Sequence, residues 1–230
     1  FQPTTACPNP TLANRWEDLQ ILHYPEGVIK DWPNLSDVEI FIRPTHQWLV
    51  NYLTLESVDE ENLLATTTLP GTYRLCQVKN KPWKETCWVE NVLEALDQPG
   101  EWVLDSQAGK LYLWPTGDTP GDNIQAPTLP TLVRVEGKNV YEVKGDIPVR
   151  GIQFKGLTFT GTDRDTWTKE DRGIQHDWDM FDKDNTLLRF RSAQDCRVIA
   201  CDFRNAGSGG IRIDLYGQNI EIRSNKIDNL

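Results

Sequence analysis

Long apolar runs are missing from these 230 residues; none approaches the ~20 that a membrane helix needs. Basic charge is scarce too: 24 Lys and Arg stand against 34 Asp and Glu, for a net charge of −10. That balance leaves no electrostatic case for nucleic acid, whose binding rests on neutralising phosphates. It disfavours an anionic membrane surface for the same reason. Cysteine pairs at zinc-site spacing are absent, so no metal ligand set is read from the cysteines. Proline disappears after Pro148, and seven of the nine tryptophans lie at or before Trp114. Past Asn185 there is no Trp, and the aromatics are Phe190, Phe203 and Tyr216. The composition therefore changes near residue 148.

Hydrophobic residues make up 38% of the chain and aromatics 10%, which excludes a disordered polymer. The length fits one large domain or two small ones. The chain opens on Phe1 rather than Met and stops inside the patterned segment Asn225-Lys-Ile-Asp-Asn-Leu230, so a piece of a longer protein is expected.

Up to residue 148 the pattern is one of short strands. Val38–Ile42 and Trp48–Leu55 are rich in β-branched and aromatic residues. Trp102–Asp105 and Lys110–Trp114 flank a short polar link ending in Gly109, which reads as a β-hairpin. Val89, Val92, Leu93 and Leu96 have helix spacing ahead of Pro99-Gly100, so one short helix is expected there. Trp-rich strands invite a sugar-stacking role, but Trp also packs the core of β-rich modules, and the core is the expectation for each of them. Cys76 and Cys87 bracket a polar stretch and are read either as a hairpin disulfide or as two buried thiols.

Further on, a template repeats: Ile152-x-Phe154-x-x-Leu157-x-Phe159, Cys196-x-Val198-x-x-Cys201-x-Phe203 and Ile220-x-Ile222-x-x-Asn225-x-Ile227. The second and third copies are 24 residues apart, and an insertion separates the first from the second. A second strand precedes the later copies, Leu188-x-Phe190 and Ile211-x-Ile213; Val133-x-Val135 stands in the same place before the first. One such turn cannot bury its own inward face, so turns must stack. The expected fold is all-β: a β-rich N-terminal module over 1–130, then the first turns of a right-handed parallel β-helix over 131–230 with a loop insertion at 161–184. Cys196 and Cys201 fall on core positions, and Asn225, in phase with Cys201, is expected to bond the backbone of a corner.

Pro99-Gly-Glu-Trp102, Leu111-Tyr-Leu-Trp-Pro115, Gly151–Phe159 and Cys201–Asn205 with Gly210–Leu215 resemble bacterial right-handed parallel β-helix proteins of the carbohydrate-active type. The resemblance implies a polysaccharide or oligosaccharide partner bound along the outer solenoid face and an extracellular or periplasmic location. It implies glycoside hydrolysis as the activity. The alternatives are a calcium-dependent polysaccharide lyase and a non-catalytic carbohydrate-binding or surface protein. Such helices run to about ten turns, so catalytic carboxylates are also expected on turns beyond residue 230. With Ile213, Leu215, Ile222 and Ile227 at an uncovered end, residues 1–230 alone are expected to self-associate and to lack activity.

Eight acids crowd the insertion, together with His176, Trp167 and Trp178. Glycoside hydrolysis needs two carboxyl groups at a defined separation, and Asp177, Asp179 and Asp182 are the candidates by residue type. His176 and Trp178 are candidate substrate-binding residues beside them. Asp177, Asp179, Asp182 and Asp184 also supply hard oxygen ligands that suit calcium, although the EF-hand Gly and Glu are missing. Alternation turns Arg189, Arg191, Arg212 and Asp214 outward on adjacent strands, as solvated ion pairs or as a substrate groove.

Overall fold

The computed structural model describes residues 1–4, 19–43, 50–76, 87–122, 124–139, 145–164 and 185–230. Their fold is all-β and includes parallel sheets. Among them no helix is long and apolar enough to cross a membrane. They fall into two compact units, one ending at Ile124 and the other beginning at Gln125.

The first unit contains β1 (Ile21–His23), β2 (Glu39–Ile42), β3 (Asn51–Asp59), β4 (Leu64–Thr67) and β5 (Cys87–Glu90), which form one antiparallel sheet in the order β1-β4-β3-β2-β5. Alternation decides its faces. Ile40 and Ile42 of β2 lie opposite Leu53 and Asn51 on one side and Val89 and Cys87 on the other. Ile40, Ile42, Leu53, Leu55 and Cys87 enter a core with Leu22, Tyr24, Ile29 and Val38. Glu39 and Phe41 take the opposite face.

The helix expected from Val89 to Leu96 does not form. Val89 is held in the sheet by its pairing with Ile40, and Asn91, at φ 61°, ends the strand. A single 3₁₀ turn, Leu93–Ala95, follows. Pairing with a buried partner outweighs a weak local periodicity. The expected hairpin does form, from β6 (Trp102–Asp105) and β7 (Lys110–Leu113), with Asp105 Oδ1 accepting the Ala108 N–H at 2.8 Å inside the turn.

Two expectations about this unit need correction. Trp32 is buried, but Trp88, Trp102 and Trp114 are 39%, 60% and 44% exposed, so these three do not build the core. Strand alternation gives the inward places beside them to Cys87, Val89 and Val103. The cysteines match neither reading: Cys76 is disulfide-bonded, while Cys87 is a free thiol with no exposure. Burial pushes the Cys87 thiol far above its ordinary range. Native protein should therefore resist iodoacetamide at Cys87, Cys196 and Cys201, all buried and free, and take up label at all three in guanidinium. Mass spectrometry that finds native labelling at Cys87 would refute its place under the sheet.

In the second unit the strands are β8 (Thr131–Glu136), β9 (Val149–Arg150), β10 (Gln153–Lys155), β11 (Thr158–Thr162), β12 (Thr186–Gln194), β13 (Arg197–Ile199), β14 (Asp202–Ala206), β15 (Gly209–Gln218), β16 (Glu221–Arg223) and β17 (Lys226–Asp228). They make three parallel sheets, β10-β13-β16, β11-β14-β17 and β15-β12-β8, with β9 also on β12. Pairing follows the repeat. Phe154 lies beside Val198 and Val198 beside Ile222; Phe159 lies beside Phe203 and Phe203 beside Ile227. Val133 and Val135 pair with Leu188 and Phe190, the part read for them from the sequence. One boundary differs: β11 runs through Thr162, which pairs with Ala206, so the first copy extends past Gly161. Residues 165–184 of the expected loop lie outside the described residues.

Corners recur with the strands. Gly151, Asp195 and Asn219 have positive φ at one corner, Gly156, Ala200 and Ser224 at the next, and Gly161, Asn205 and Asn229 at the third. The first copy meets this left-handed requirement with Gly each time, and the later copies mostly with Asn, Asp or Ser, which tolerate it better than branched residues. Amides stack from copy to copy: Gln194 Nε2 donates to Gln218 Oε1, Asn219 Nδ2 to Asp195 Oδ1 and Asn229 Nδ2 to Asn205 Oδ1, at 2.7–2.8 Å. Asn225 performs the expected corner role, accepting the Cys201 N–H at 2.8 Å and donating to Val198 O at 2.9 Å. The middle copy is the best covered: Cys196, Val198, Cys201 and Phe203 are buried, whereas Ile152, Leu157, Ile222 and Ile227 are exposed. This is the stacking requirement at work, since each inward face is closed by the copies on both sides.

Candidate functional site

The β15-β12-β8 sheet presents two register rows on its outward side. Arg134, Arg189 and Arg212 form one, and Glu136, Arg191 and Asp214 the other. They alternate with Leu188, Val133 and Ile211, and with Phe190 and Val135, which belong to or pack on the hydrophobic core. Four of the residues expected to be outward in the sequence, Arg189, Arg191, Arg212 and Asp214, are thus brought together. Glu136 and Arg134 were missed, although they alternate with Val133 and Val135.

The centre of this surface is enclosed. Arg189 is fully buried, as is Leu187 on the same face, so Arg189 is no open groove residue. Its Nη2 and Nε donate to Asp214 Oδ2 at 2.7 and 3.1 Å, and its Nη1 lies 3.8 Å from Glu136 Oε1. Arg212 Nε approaches the same Asp214 oxygen at 3.0 Å, and its Nη1 donates to Asn185 Oδ1 at 2.8 Å. Arg134 grips Glu136 with both prongs of its fork, at 2.8 and 3.2 Å. Asp214 retains 9% of its side-chain exposure. Its Oδ2 is crowded with donors, while its Oδ1 is buried and has no hydrogen-bond partner among the described residues. A buried acceptor left unmatched costs ~1–3 kcal/mol.

A separate polar cleft of about 350 Å³ follows the first corner, lined by Gly151, Ile152, Gln153, Asp195, Arg197, Asn219 and Glu221. Among its charged groups Arg197 pairs with Glu221 at 3.4 Å, and Asp195 Oδ1 accepts from Asn219 Nδ2 at 2.7 Å.

Asp177, Asp179, Asp182, His176 and Trp178 lie outside the described residues, as do the acids read as calcium ligands. Among the described residues no group of three or more His, Cys, Asp or Glu side chains is arranged to hold a metal ion. No family model, curated protein or solved structure matches this chain.

Proposed function

We propose that the second unit is the start of a right-handed parallel β-helix, and that the protein is a polysaccharide-degrading glycoside hydrolase binding carbohydrate along the outer face of the β15-β12-β8 sheet. The observation that carries this reading is the pair of carboxylates that share one register row on either side of β12. Two interstrand steps of ~4.8 Å set the Glu136 and Asp214 backbones ~9.6 Å apart. Both side chains approach the same guanidinium, that of Arg189. Inverting glycosidases hold their two carboxyl groups ~6.5–9.5 Å apart, leaving room for the attacking water.

In this reading Asp214 is the base. Its Oδ2 is fixed by guanidinium groups. Glu136, whose side chain keeps 29% of its exposure, is the second carboxyl group of the pair. Arg189 positions the two and touches neither sugar nor water. The reading differs from the expectations that catalytic carboxylates lie on turns past residue 230 and that residues 1–230 alone lack activity, and the assay below separates them. The disulfide at Cys76 supports an extracellular or periplasmic location, where such bonds persist. The calcium-dependent lyase rests on acids outside the described residues, and no step is routed through that ion.

The test is a polysaccharide panel with three readouts: new reducing ends, the anomer first released by NMR, and ultraviolet absorbance. Hydrolysis with inversion is expected, and Glu136→Gln and Asp214→Asn should each lower kcat by ~100-fold or more. An ultraviolet-absorbing unsaturated product would replace hydrolysis by elimination. Binding with neither product would make the protein a carbohydrate-binding module.

A further inference from the structure

We infer a saccharide-binding site in the polar cleft at the first corner of the second unit, shaped for one or two neutral sugar rings. It goes beyond the reading above and uses neither of its carboxylates. Two rows of residues wall the cleft. Gly151, Asp195 and Asn219 hold the same corner position in successive copies. Gln153, Arg197 and Glu221 are in register on β10, β13 and β16. Phe154 and Val198, which alternate with Gln153 and Arg197, belong to or pack on the core, so this row points outward. Asp195 and Arg197 are two residues apart, which limits the distance between the backbones of the two walls to ~7 Å. Three stacked copies give the cleft a length of ~9.6 Å.

The cleft stays open because each wall bonds along itself rather than across to the other. Asn219 Nδ2 donates to Asp195 Oδ1 at 2.7 Å on one side, and Arg197 Nε meets Glu221 at 3.4 Å on the other. Gly151 contributes no side chain, and a Cβ there would touch nothing within 4 Å, so the first copy leaves an entrance. These contacts hold four polar side chains in place before any ligand arrives, which lowers the ordering cost of binding. They also leave capacity unused. Among the described residues, Asp195 keeps its second oxygen, Arg197 keeps the outer N–H groups of its fork, and the Gln153 amide has no partner.

The lining selects the occupant. The backbone amides of Gly151, Asp195, Arg197 and Glu221 donate along the stack, so an extended peptide finds no strand edge here. Ile152 is the one apolar side chain of the lining. An apolar ligand would strip water from the other groups without replacing its hydrogen bonds. Sugar hydroxyls both donate and accept, and the planar guanidinium, carboxylate and amide groups can each take two of them. Both signs of charge are present. Arg197 stands against Asp195 and Glu221, and Arg223 also reaches Glu221, at 2.8 Å, so neither a uronate nor an amino sugar gains a net attraction. The volume, about 350 Å³, lies at the small end of ligand sites and fits a short saccharide.

Saturation-transfer NMR and calorimetry of the full chain with cellobiose, xylobiose, mannobiose, lactose and digalacturonate test this. At least one neutral disaccharide should bind, and more tightly than digalacturonate. Arg197→Ala and Gln153→Ala should each weaken it at least ~fivefold, the loss of one or two hydrogen bonds. Arg204→Ala, on β14 of a different sheet, should leave it unchanged. Arg197 is 58% exposed, so its truncation should spare the fold, and urea midpoints check each variant. Glu136→Gln and Asp214→Asn separate this site from the proposed catalytic one. Binding that survives both but falls in Arg197→Ala belongs to the cleft, and it stands even if no polysaccharide is hydrolysed. Binding that falls in Glu136→Gln and Asp214→Asn yet persists in folded Arg197→Ala and Gln153→Ala would overturn the inference. So would a preference for digalacturonate, or no neutral disaccharide bound at ~10 mM.

Discussion

Arg189→Ala should destabilise the protein by about 3–5 kcal/mol, the cost of leaving a buried carboxylate without its partner. Arg189 is fully buried and Asp214 nearly so, and two Arg189 nitrogens donate to the one oxygen Asp214 Oδ2 at 2.7 and 3.1 Å. Truncation removes the guanidinium that joins β15 to β12 and lies beside Glu136 of β8. Arg212 still reaches Asp214, so the carboxylate keeps one cation, which holds the loss within that range. Removing the charge from both sides tests the cause. Arg189→Met combined with Asp214→Leu should recover most of the loss, because apolar residues of similar volume frequently replace a buried pair at little cost. Urea unfolding followed by circular dichroism gives both numbers. A single-variant loss under about 1 kcal/mol would mean that the pair behaves as a solvated one.

The burial of Arg189 marks the limit of what alternation reveals. Period two assigns a side chain to one face of a sheet, and it put Arg189 in register with Arg212 and Arg191 with Asp214. It carries no information on whether that face is covered. Coverage is a tertiary property, and Leu187, an apolar residue on the same face, was the local sign of it. Glu136 was legible by the same rule, since Arg134 and Glu136 alternate with Val133 and Val135. The repeat itself was plain because a constant spacing forces a constant register, and parallel pairing of Phe159, Phe203 and Ile227 follows from it. Trp88 was lost through one misjudged segment. Reading Val89 as the start of a helix hid the alternation of Cys87, Trp88, Val89 and Glu90, which turns Trp88 and Glu90 outward together. The acids from Asp177 to Asp182 belong to a stretch without a repeat partner, so no register constrains them from sequence.

Phe203→Ala should cost ~3–5 kcal/mol, and Ile227→Ala, one copy further along the same column, clearly less. Phe203 has no exposure and stacks on Phe159 with centroids 4.7 Å apart and 2° between planes. Its backbone is paired on both sides, to β11 and to β17. Truncation there leaves a void between two rigid copies, which cannot close without shifting their shared hydrogen bonds. Ile227 packs on the same column but is 50% exposed, so about half of its side chain gives up no burial when removed. The two variants, unfolded in urea over a range of protein concentrations, measure how far one copy depends on the next. A concentration-independent ratio strongly in favour of Phe203 is the expected result. If Ile227→Ala costs as much as Phe203→Ala, and the cost grows with protein concentration, then Ile227 is covered in solution by another molecule. Exposed apolar residues on an unpaired strand edge are the physical setting in which that would occur.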